Sequence, residues 1–290
     1  MSWFVSLPEM VRDFAYLGAS AVWFMLLAMA VKGWRRAYRD GLAARDDAGT
    51  NFIMWIIDAA AISPFVVAMI NIAMDGFQHF GVVAPTQSLW RQIGPIPTLL
   101  AALVVGDFIG YWRHRLQHSP WFWPAHAVHH SDEAVNWLTL ARAHPLDRLI
   151  TAVDVLLMAM LGFPVWVITA NAMIRHYYGH LLHADVPWTF GKIGEVINSP
   201  SMHRWHHARD DAVSGRNFGT LFSIFDRLFG TLYSTARCDA ALGVRHHIGR
   251  GLIDQYLYPF KVWFRVPPML DRPAATRSAA SLQPLTEPVA

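Results

Sequence analysis

The histidines of this chain are concentrated in one part of the sequence. Twelve of the fifteen lie between His114 and His207. Eleven of these twelve form four clusters: His114-x3-His118, His126-x2-His129-His130, His176-x3-His180-x2-His183 and His203-x2-His206-His207. Imidazole binds zinc, copper, iron and nickel, and these spacings place ring nitrogens on one face of a helix. The pattern predicts a metal site, and it holds more imidazoles than one closed tetrahedral ion uses, so two ions are the economical interpretation.

The alternative for any single histidine is a surface or hydrogen-bonded core residue. Two separate HxxHH triplets, with helical pairs before and between them, do not fit scattered polar residues in a chain that is 54% hydrophobic. The lone Cys238 excludes an intramolecular disulfide framework and a cysteine-based zinc ribbon. Imidazole must therefore dominate the metal shell.

Apolar segments before the clusters predict an integral membrane protein. The mean hydropathy is +0.25, with 13 Trp, 17 Phe and only 16% charged residues. Residues 15–31 carry no charge and residues 52–74 carry only Asp58. Each segment is long enough to cross about 30 Å of hydrocarbon as a helix. Residues 95–112, with Asp107 near their end, are a third candidate span.

Basic residues and chain breaks predict how these spans are arranged. The loop between the first two spans contains Lys32, Arg35, Arg36, Arg39 and Arg45, which places it in the cytoplasm by the positive-inside rule. Two further crossings return the chain to the cytoplasmic side after Trp112. The next apolar stretch, residues 149–174, is interrupted by Gly162-Phe163-Pro164. A single span there would separate the first two histidine clusters from the last two, so we predict a helical hairpin with its tip at residues 162–164.

One face of the third helix joins an acid to the first cluster. Asp107, Tyr111, His114 and His118 fall at positions i, i+4, i+7 and i+11. A metal-bound imidazole usually donates its other N–H to a carboxylate or carbonyl, so Asp107 is predicted to accept from His114 or a neighbouring ligand. The alternative is a buried acid satisfied by Tyr111. Asp154, within the predicted hairpin, is either a substrate-channel residue or a helix-terminal or protein-facing acid.

Seven short segments carry a combined pattern across the histidine region. They are Asp107-x3-Tyr111-x2-His114-Arg115-x2-His118, Trp123-x2-His126-x2-His129-His130-Ser131, Arg142-x-His144-Pro145-Leu146, His183-Ala184-Asp185, Ser199-Pro200-x2-His203-Arg204-x-His206-His207, Asn217-Phe218-Gly219 and Phe225-Asp226-Arg227-Leu228-Phe229-Gly230-Thr231. Together they resemble the fatty acid hydroxylase and sterol desaturase superfamily of integral-membrane di-iron enzymes. The resemblance covers about residues 95–235, and residues 243–260 weakly; the N-terminal spans and the tail are not diagnostic.

The resemblance implies two iron ions, held almost wholly by histidine, that activate O2 against a C–H bond of a lipid. The ligands it implies are His114, His118, His126, His129, His130, His180, His183, His203, His206 and His207. The third cluster matches loosely, because a spacing of four favours His176 with His180, whereas the His-Ala-Asp run favours His183. His144 lies in a family motif outside the clusters, and we expect it beside the ligands or the substrate. No catalytic residue is predicted beyond the metal centre.

The fold class that follows is all-α, an integral membrane protein with a cytosolic, histidine-rich di-metal cap. Residues 1–94 are expected to form N-terminal transmembrane helices and the basic loop, residues 95–260 the catalytic domain, and residues 261–290 a C-terminal segment with a tail that is disordered from about Asp271. The net charge of +3 is small and no basic stripe is interleaved with aromatic residues, which excludes a nucleic-acid-binding protein.

The implied activity is that of a membrane-bound lipid hydroxylase or desaturase with its active site on the cytoplasmic face. The sequence shows no cytochrome b5-like segment and no cysteine set for an iron–sulfur cluster, so a separate ferredoxin or cytochrome b5-like protein is expected to supply electrons. The alternative is a membrane protein that handles metal ions, which would need ligands at several depths. Fatty acyl, sterol or hopanoid, ether-lipid and carotenoid substrates remain open, as does hydroxylation against desaturation.

Overall fold

A computed structural model describes residues 7–233 and 236–264, and its regular elements are helices. In chain order they are α1 (Leu7–Lys32), α2 (Trp34–Ala43), α3 (Arg45–Ile57), α4 (Ser63–His79), α5 (Gln87–Ile93), α6 (Pro95–Gln117), α7 (Trp123–His130), α8 (Pro145–Met160), α9 (Val165–His183), α10 (Pro200–His206), α11 (Asp211–Ser214), α12 (Ile224–Leu228) and α13 (Leu252–Trp263). This described part contains no β-strand, only two isolated bridges. The predicted all-α class is confirmed, while the predicted tail from Asp271 lies outside the described residues.

Three segments are long and apolar enough to cross a membrane, as predicted. They are Phe14–Lys32, Arg45–His79, which joins α3 to α4 through a π-helical turn, and Pro95–Gln117. Their most apolar windows differ in burial, with 0% of residues buried in the first, 11% in the second and 33% in the third. The first span therefore offers its surface to lipid, whereas the third packs inside the helical bundle.

The interrupted apolar stretch forms the predicted hairpin. Helix α8 ends at Met160 and α9 begins at Val165. Gly162 lies between them with φ of 70°, a left-handed conformation that glycine adopts without steric strain. Thr86 donates from its hydroxyl to the Leu161 carbonyl over 2.6 Å. The tip therefore lies against the connection between the second and third spans, at the end of the bundle opposite the histidines.

The basic loop lies at the histidine end of the bundle. Lys32 contacts Asp185, which follows the third histidine cluster, and its Nζ lies 2.6 Å from Asp40 on α2. Arg204 on α10 lies 3.5 Å from the same Asp185 carboxylate. The cationic end of α1 and the histidine-bearing helices are therefore joined by ion pairs. The histidines and the basic loop thus lie on the same side of the membrane spans.

Candidate metal centre

Nine imidazoles converge into two adjacent groups at this end of the bundle. In each group every ring offers one nitrogen, and these nitrogens all lie within 4.8 Å of one another. The five-histidine group consists of His114, His118, His126, His130 and His206. The four-histidine group consists of His129, His183, His203 and His207. Helices α6, α7, α9 and α10, with the residues that end them, supply all nine rings.

Each HxxHH triplet supplies both groups. The first and last histidines of a triplet are four residues apart and share a helix face, whereas the middle one points elsewhere. On α7, His126 and His130 join the five-histidine group and His129 joins the four-histidine group. The α10 triplet reverses this, because only its middle residue, His206, joins the five-histidine group. The groups meet where the rings of His130 and His207 stack, with centroids 4.3 Å apart.

Protein oxygens accept hydrogen bonds from the Nδ1 atom of five of these rings. The pairs are His114 Nδ1 with the Phe218 carbonyl at 2.9 Å, His126 Nδ1 with Asp147 Oδ2 at 3.2 Å, His129 Nδ1 with the Arg142 carbonyl at 3.1 Å, His183 Nδ1 with the Gly179 carbonyl at 2.7 Å and His206 Nδ1 with the Arg216 carbonyl at 2.6 Å. A carbonyl or ionised carboxylate oxygen only accepts, so each Nδ1 carries the proton. In a neutral imidazole Nε2 is then a bare lone pair.

Several of these lone pairs face one another. His114 Nε2 lies 3.1 Å from His126 Nε2, and His129 Nε2 lies 3.1 Å from His183 Nε2. With Nδ1 protonated on every one of these rings, neither pair has a proton to share. Two bare lone pairs at this distance repel each other unless they bind a common cation. The arrangement therefore fits a metal ion in each group.

Ring nitrogens without a hydrogen-bond partner also indicate that the groups bind metal. Among the described residues, buried ring nitrogens without a hydrogen-bond partner occur on His118, His130, His203, His206 and His207. Leaving such a group unpaired costs about 1–3 kcal/mol, which coordination would remove. Burial, followed by the neighbouring imidazoles, lowers the pKa of His130 and His207 well below the usual value, and burial lowers the pKa of His206 to about 3. The rings are thus neutral, which is the form that binds metal.

Asp107 and Tyr111 support the site from a distance. Asp107 was expected to accept from His114 or a neighbour, but its oxygens accept from the backbone amides of Leu221 at 3.0 Å and Phe222 at 2.8 Å. The Tyr111 hydroxyl lies 2.8 Å from Thr231 Oγ1. Both residues of α6 therefore hold the 216–231 segment, whose carbonyls in turn hold two of the histidines.

His144 caps α8 and does not face either group. Its Nδ1 accepts from the Leu146 amide at 3.1 Å, and its Nε2 donates to the Tyr256 carbonyl at 3.0 Å. It thereby fixes the start of the helix that presents Asp147, the acid that contacts His126. Asp147 is not among the residues predicted from the sequence, although it directly follows the Arg142-x-His144-Pro145-Leu146 motif.

The segment after α10 forms a loop that contains the Asn217-Phe218-Gly219 motif, for which no role was predicted. Asn217 has φ of 55°, a left-handed conformation that asparagine tolerates better than most residues, and lies between the two carbonyls that accept from His206 and His114. Asp226 accepts from the Phe218 amide at 2.7 Å and the Gly219 amide at 2.8 Å. The loop thus aims two backbone carbonyls at the five-histidine group.

A buried polar network joins the second span to the four-histidine group. Arg142, whose carbonyl holds His129, is fully buried. Its guanidinium donates to Asn51 Oδ1 at 2.6 Å and to Asp47 Oδ1 at 2.9 Å. Asn51 donates in turn to Asp132 over 2.8 Å. Residues within the first 94 therefore help to position His129, a contact that no sequence motif predicted.

His180 is the one implied ligand that the structure leaves outside both groups. Its Nδ1 donates to the Trp137 carbonyl at 2.8 Å, and its Nε2 lies 3.2 Å from His176 Nε2. His183, at the end of the same helix, belongs to the four-histidine group. Of the alternatives for the third cluster, the geometry therefore favours His183 over the pair of His176 and His180.

A cavity of about 280 Å³ lies between α6, α8 and α9, beside both groups. Five grouped histidines line it: His114, His126, His129, His183 and His203. Val155, Met158, Ile168 and Leu182 give it apolar walls, and charged and amide side chains complete it. A part of a lipid, rather than a whole one, fits a space of this size.

Comparisons with known proteins match the histidine-bearing part of the chain to one family. The fatty acid hydroxylase family model matches residues 99–231, which contain all nine grouped histidines. An ornithine lipid hydroxylase of Rhizobium tropici is 27% identical over 79% of this chain and 69% of that protein. The human alkylglycerol monooxygenase is 27% identical over 57% of this chain and 38% of that protein. A Dictyostelium discoideum protein named as a putative methylsterol monooxygenase is 30% identical over 46% of this chain and 50% of that protein. No solved structure matches significantly.

Proposed function

Because the chain belongs to the fatty acid hydroxylase and sterol desaturase superfamily, we propose that it is a membrane-bound oxygenase that hydroxylates or desaturates a C–H bond of a lipid, using two iron ions and O2. The observation that carries the proposal is the pair of imidazole groups, both open to one cavity between membrane helices. Its curated relatives are named as hydroxylases and monooxygenases, and the chain is an enzyme of this oxygenase class.

The two histidine groups divide the ligands between the proposed ions. The five-histidine group would hold one iron and the four-histidine group the other, whereas His180 would remain outside. Bound iron would supply the redox chemistry that activates O2 and breaks an aliphatic C–H bond, which no side chain provides.

The chain itself orients the ligands and excludes water. Carbonyl oxygens and Asp147 fix which nitrogen of each anchored ring carries the proton, so that Nε2 points inward. His130, His206 and His207 are completely buried. The buried rings would thereby shield bound iron from bulk water and exposed side chains, while the cavity offers space for the substrate beside both groups.

The location of the site favours a lipid substrate and a cytoplasmic face. The cavity lies between helices of a membrane bundle, so an alkyl chain can enter from the bilayer. The cationic loop lies at the histidine end and favours the cytoplasm by the positive-inside rule. A separate ferredoxin or cytochrome b5-like protein would then deliver electrons from that side.

Metal analysis and Mössbauer spectroscopy of the purified full chain test the metal part of the proposal. We expect about two irons per chain with the spectra of a coupled pair. Lipid mass spectrometry of cells with and without the gene tests the reaction, beginning with ornithine lipids, alkylglycerols and methylsterols. A fully loaded protein with one mononuclear zinc and an unchanged lipid profile would refute the oxygenase and favour a metal-handling protein.

A further inference from the structure

The cavity beside the histidines has one polar wall among its apolar ones. Asp154 on α8 receives Arg113 Nε at 2.7 Å on one oxygen and Arg175 Nη1 at 2.9 Å on the other. Arg175 Nε also lies 3.5 Å from Asp107. Two cations and two carboxylates therefore balance one another, so this wall has little net attraction for a charged ligand.

Small residues on the third span make room for the polar side chains of α9. Gly106 and Gly110 are one turn apart on α6, and they face Asn171 and Arg175, which are one turn apart on α9. A Cβ added at Gly106 would lie 2.5 Å from Asn171 Nδ2, and one at Gly110 would overlap the Arg175 guanidinium. The two helices thus accommodate an amide and a guanidinium deep between them, where apolar packing would be the ordinary solution.

Two atoms of this wall lack a hydrogen-bond partner among the described residues. Asn171 is 3% exposed and its Oδ1 accepts no hydrogen bond. The Nε of Arg175, whose side chain is 10% exposed, donates none, because its ion pair with Asp107 at 3.5 Å lacks hydrogen-bond geometry. Burying an unpaired polar atom costs free energy, so such atoms mark a place where a bound molecule completes the bonding. One atom accepts and the other donates. A group that satisfies both must itself carry a donor and an acceptor.

The position of these atoms relative to the histidines follows from the helix. Gly110 precedes His114 by one helical turn and Gly106 precedes it by two. At 1.5 Å per residue these are axial distances of about 6 and 12 Å. A molecule that contacts Asn171 and Arg175 can therefore reach the five-histidine group within the same cavity if it is longer than this distance.

We propose that Asn171 and Arg175 form a subsite for an uncharged hydrogen-bonding group of the lipid substrate, an amide or a hydroxyl, held one to two helical turns from His114. The inference rests on the proposed function, in that the cavity is taken as the substrate site. Amides and hydroxyls both donate and accept, whereas an ester only accepts and a hydrocarbon does neither. The substrate is thus an amide- or hydroxyl-bearing lipid, not a carotene or a simple ester.

Binding of four probes of equal chain length tests the subsite on the purified full chain in detergent. The probes are N-methyldodecanamide, dodecanol, methyl dodecanoate and dodecane, with affinities measured by microscale thermophoresis. A net hydrogen bond in a buried site corresponds to about a tenfold change in affinity. We therefore expect the amide and the alcohol to bind about tenfold more tightly than the ester, and the hydrocarbon to bind least.

Variants assign this preference to the subsite. Asn171→Leu should weaken amide and alcohol binding about tenfold and leave ester binding within about twofold. Gly106→Ala should push the Asn171 side chain aside and give the same loss without altering a polar group. Thr169→Val, on the exposed face of the same helix, is the matched control and should bind all four probes as the wild type does. Each probe partitions equally into micelles for every variant, so ratios to the wild type report the contact alone.

Equal wild-type affinity for all four probes would overturn the subsite, and so would an unchanged preference in both Asn171→Leu and Gly106→Ala. The measurement is made on iron-loaded protein and again after chelation. Because binding requires neither iron nor O2, a protein without iron would refute the proposed function and leave the probe preference in place. Conversely, loss of the preference with normal iron content would refute the subsite alone.

Discussion

The two histidine groups use the same ligand but are held in place differently. The five-histidine group has a carboxylate, Asp147, behind His126, and the 216–218 loop behind His114 and His206. Among the residues that the structure describes, the four-histidine group is held by backbone carbonyls, those of Arg142 and Gly179, and no carboxylate bonds to its rings. A carboxylate raises the basicity of its imidazole more than a carbonyl does. Similar donor sets can therefore provide two unequal sites, with metal affinity expected to be higher in the five-histidine group.

Removing one ligand from each group is the largest perturbation. We expect His206→Ala in the five-histidine group and His129→Ala in the four-histidine group each to abolish turnover and to lower the iron content by at least one ion per chain. The control, His79→Ala, lies on α4 away from both groups and should be nearly silent. Iron analysis and product formation check all three variants. Normal turnover in either cluster variant would contradict the assignment of that histidine.

The support of the four-histidine group should be most sensitive at Asp47. Asp47→Ala leaves the fully buried Arg142 without the one carboxylate that forms an ion pair with it among the described residues. Removing one partner of a buried ion pair costs about 3–5 kcal/mol, so the unfolding free energy should fall by that order. Asp46→Ala, next to it on the exposed side, is the control. Thermal unfolding in detergent compares them, and equal stability would mean that the network does not hold His129.

The role of the carboxylate can be isolated with Asp147→Asn, which keeps the shape and removes the charge. Loss of such a contact behind a ligand typically lowers metal affinity or activity about 10–100-fold. We expect that loss in the five-histidine group only, seen as one iron released at lower chelator concentration while the other is retained. Asp75→Asn, at an exposed position of α4, is the control. Equal release of both irons would remove the proposed inequality between the groups.

A smaller effect is expected where the loop backbone is left-handed. Alanine at position 217 would keep the left-handed φ of 55° without the side-chain hydrogen bonds that help asparagine adopt it, at a cost of about 1–2 kcal/mol. Asn217→Ala also removes the bonds to the Met202 carbonyl and the Tyr233 amide. Asn217→Gly restores the backbone but not these bonds, and should be the more stable of the two. Calorimetry compares the variants. An alanine variant at least as stable as the glycine variant would show that the conformation is not strained.

The smallest effect should come from His180→Ala. Because His180 contacts Trp137 and His176 instead of the grouped nitrogens, the variant should keep both irons and lose activity no more than severalfold. His183→Ala, three residues along the same helix, is the comparison and should empty the four-histidine group. Iron analysis distinguishes them, and loss of iron from His180→Ala would restore it to the ligand set.

Local sequence patterns predicted part of this architecture, whereas the rest depends on contacts between distant parts of the chain. The histidine clusters and the Gly162 break are visible because ligand type, spacing and chain breaks are properties of short segments. The anchors are not visible, since most are backbone carbonyls, which any residue offers. The contact between Asn51 and Arg142 joins residues 91 positions apart. His176 shares a helical face with His183, but it lies about 10 Å along the axis, and only the end of α9 reaches the groups.

In each of the two HH dipeptides, one histidine belongs to the five-histidine group and its neighbour to the four-histidine group. One peptide bond therefore links the two centres on α7, and another links them at the end of α10. Adjacent Cα atoms stay about 3.8 Å apart, and the centres therefore cannot separate without breaking the α7 or α10 backbone geometry. An ion that enters either centre also immobilises the dipeptides that complete the other. The second ion then binds at a lower entropic cost than the first, so an ion in one group favours binding in the other.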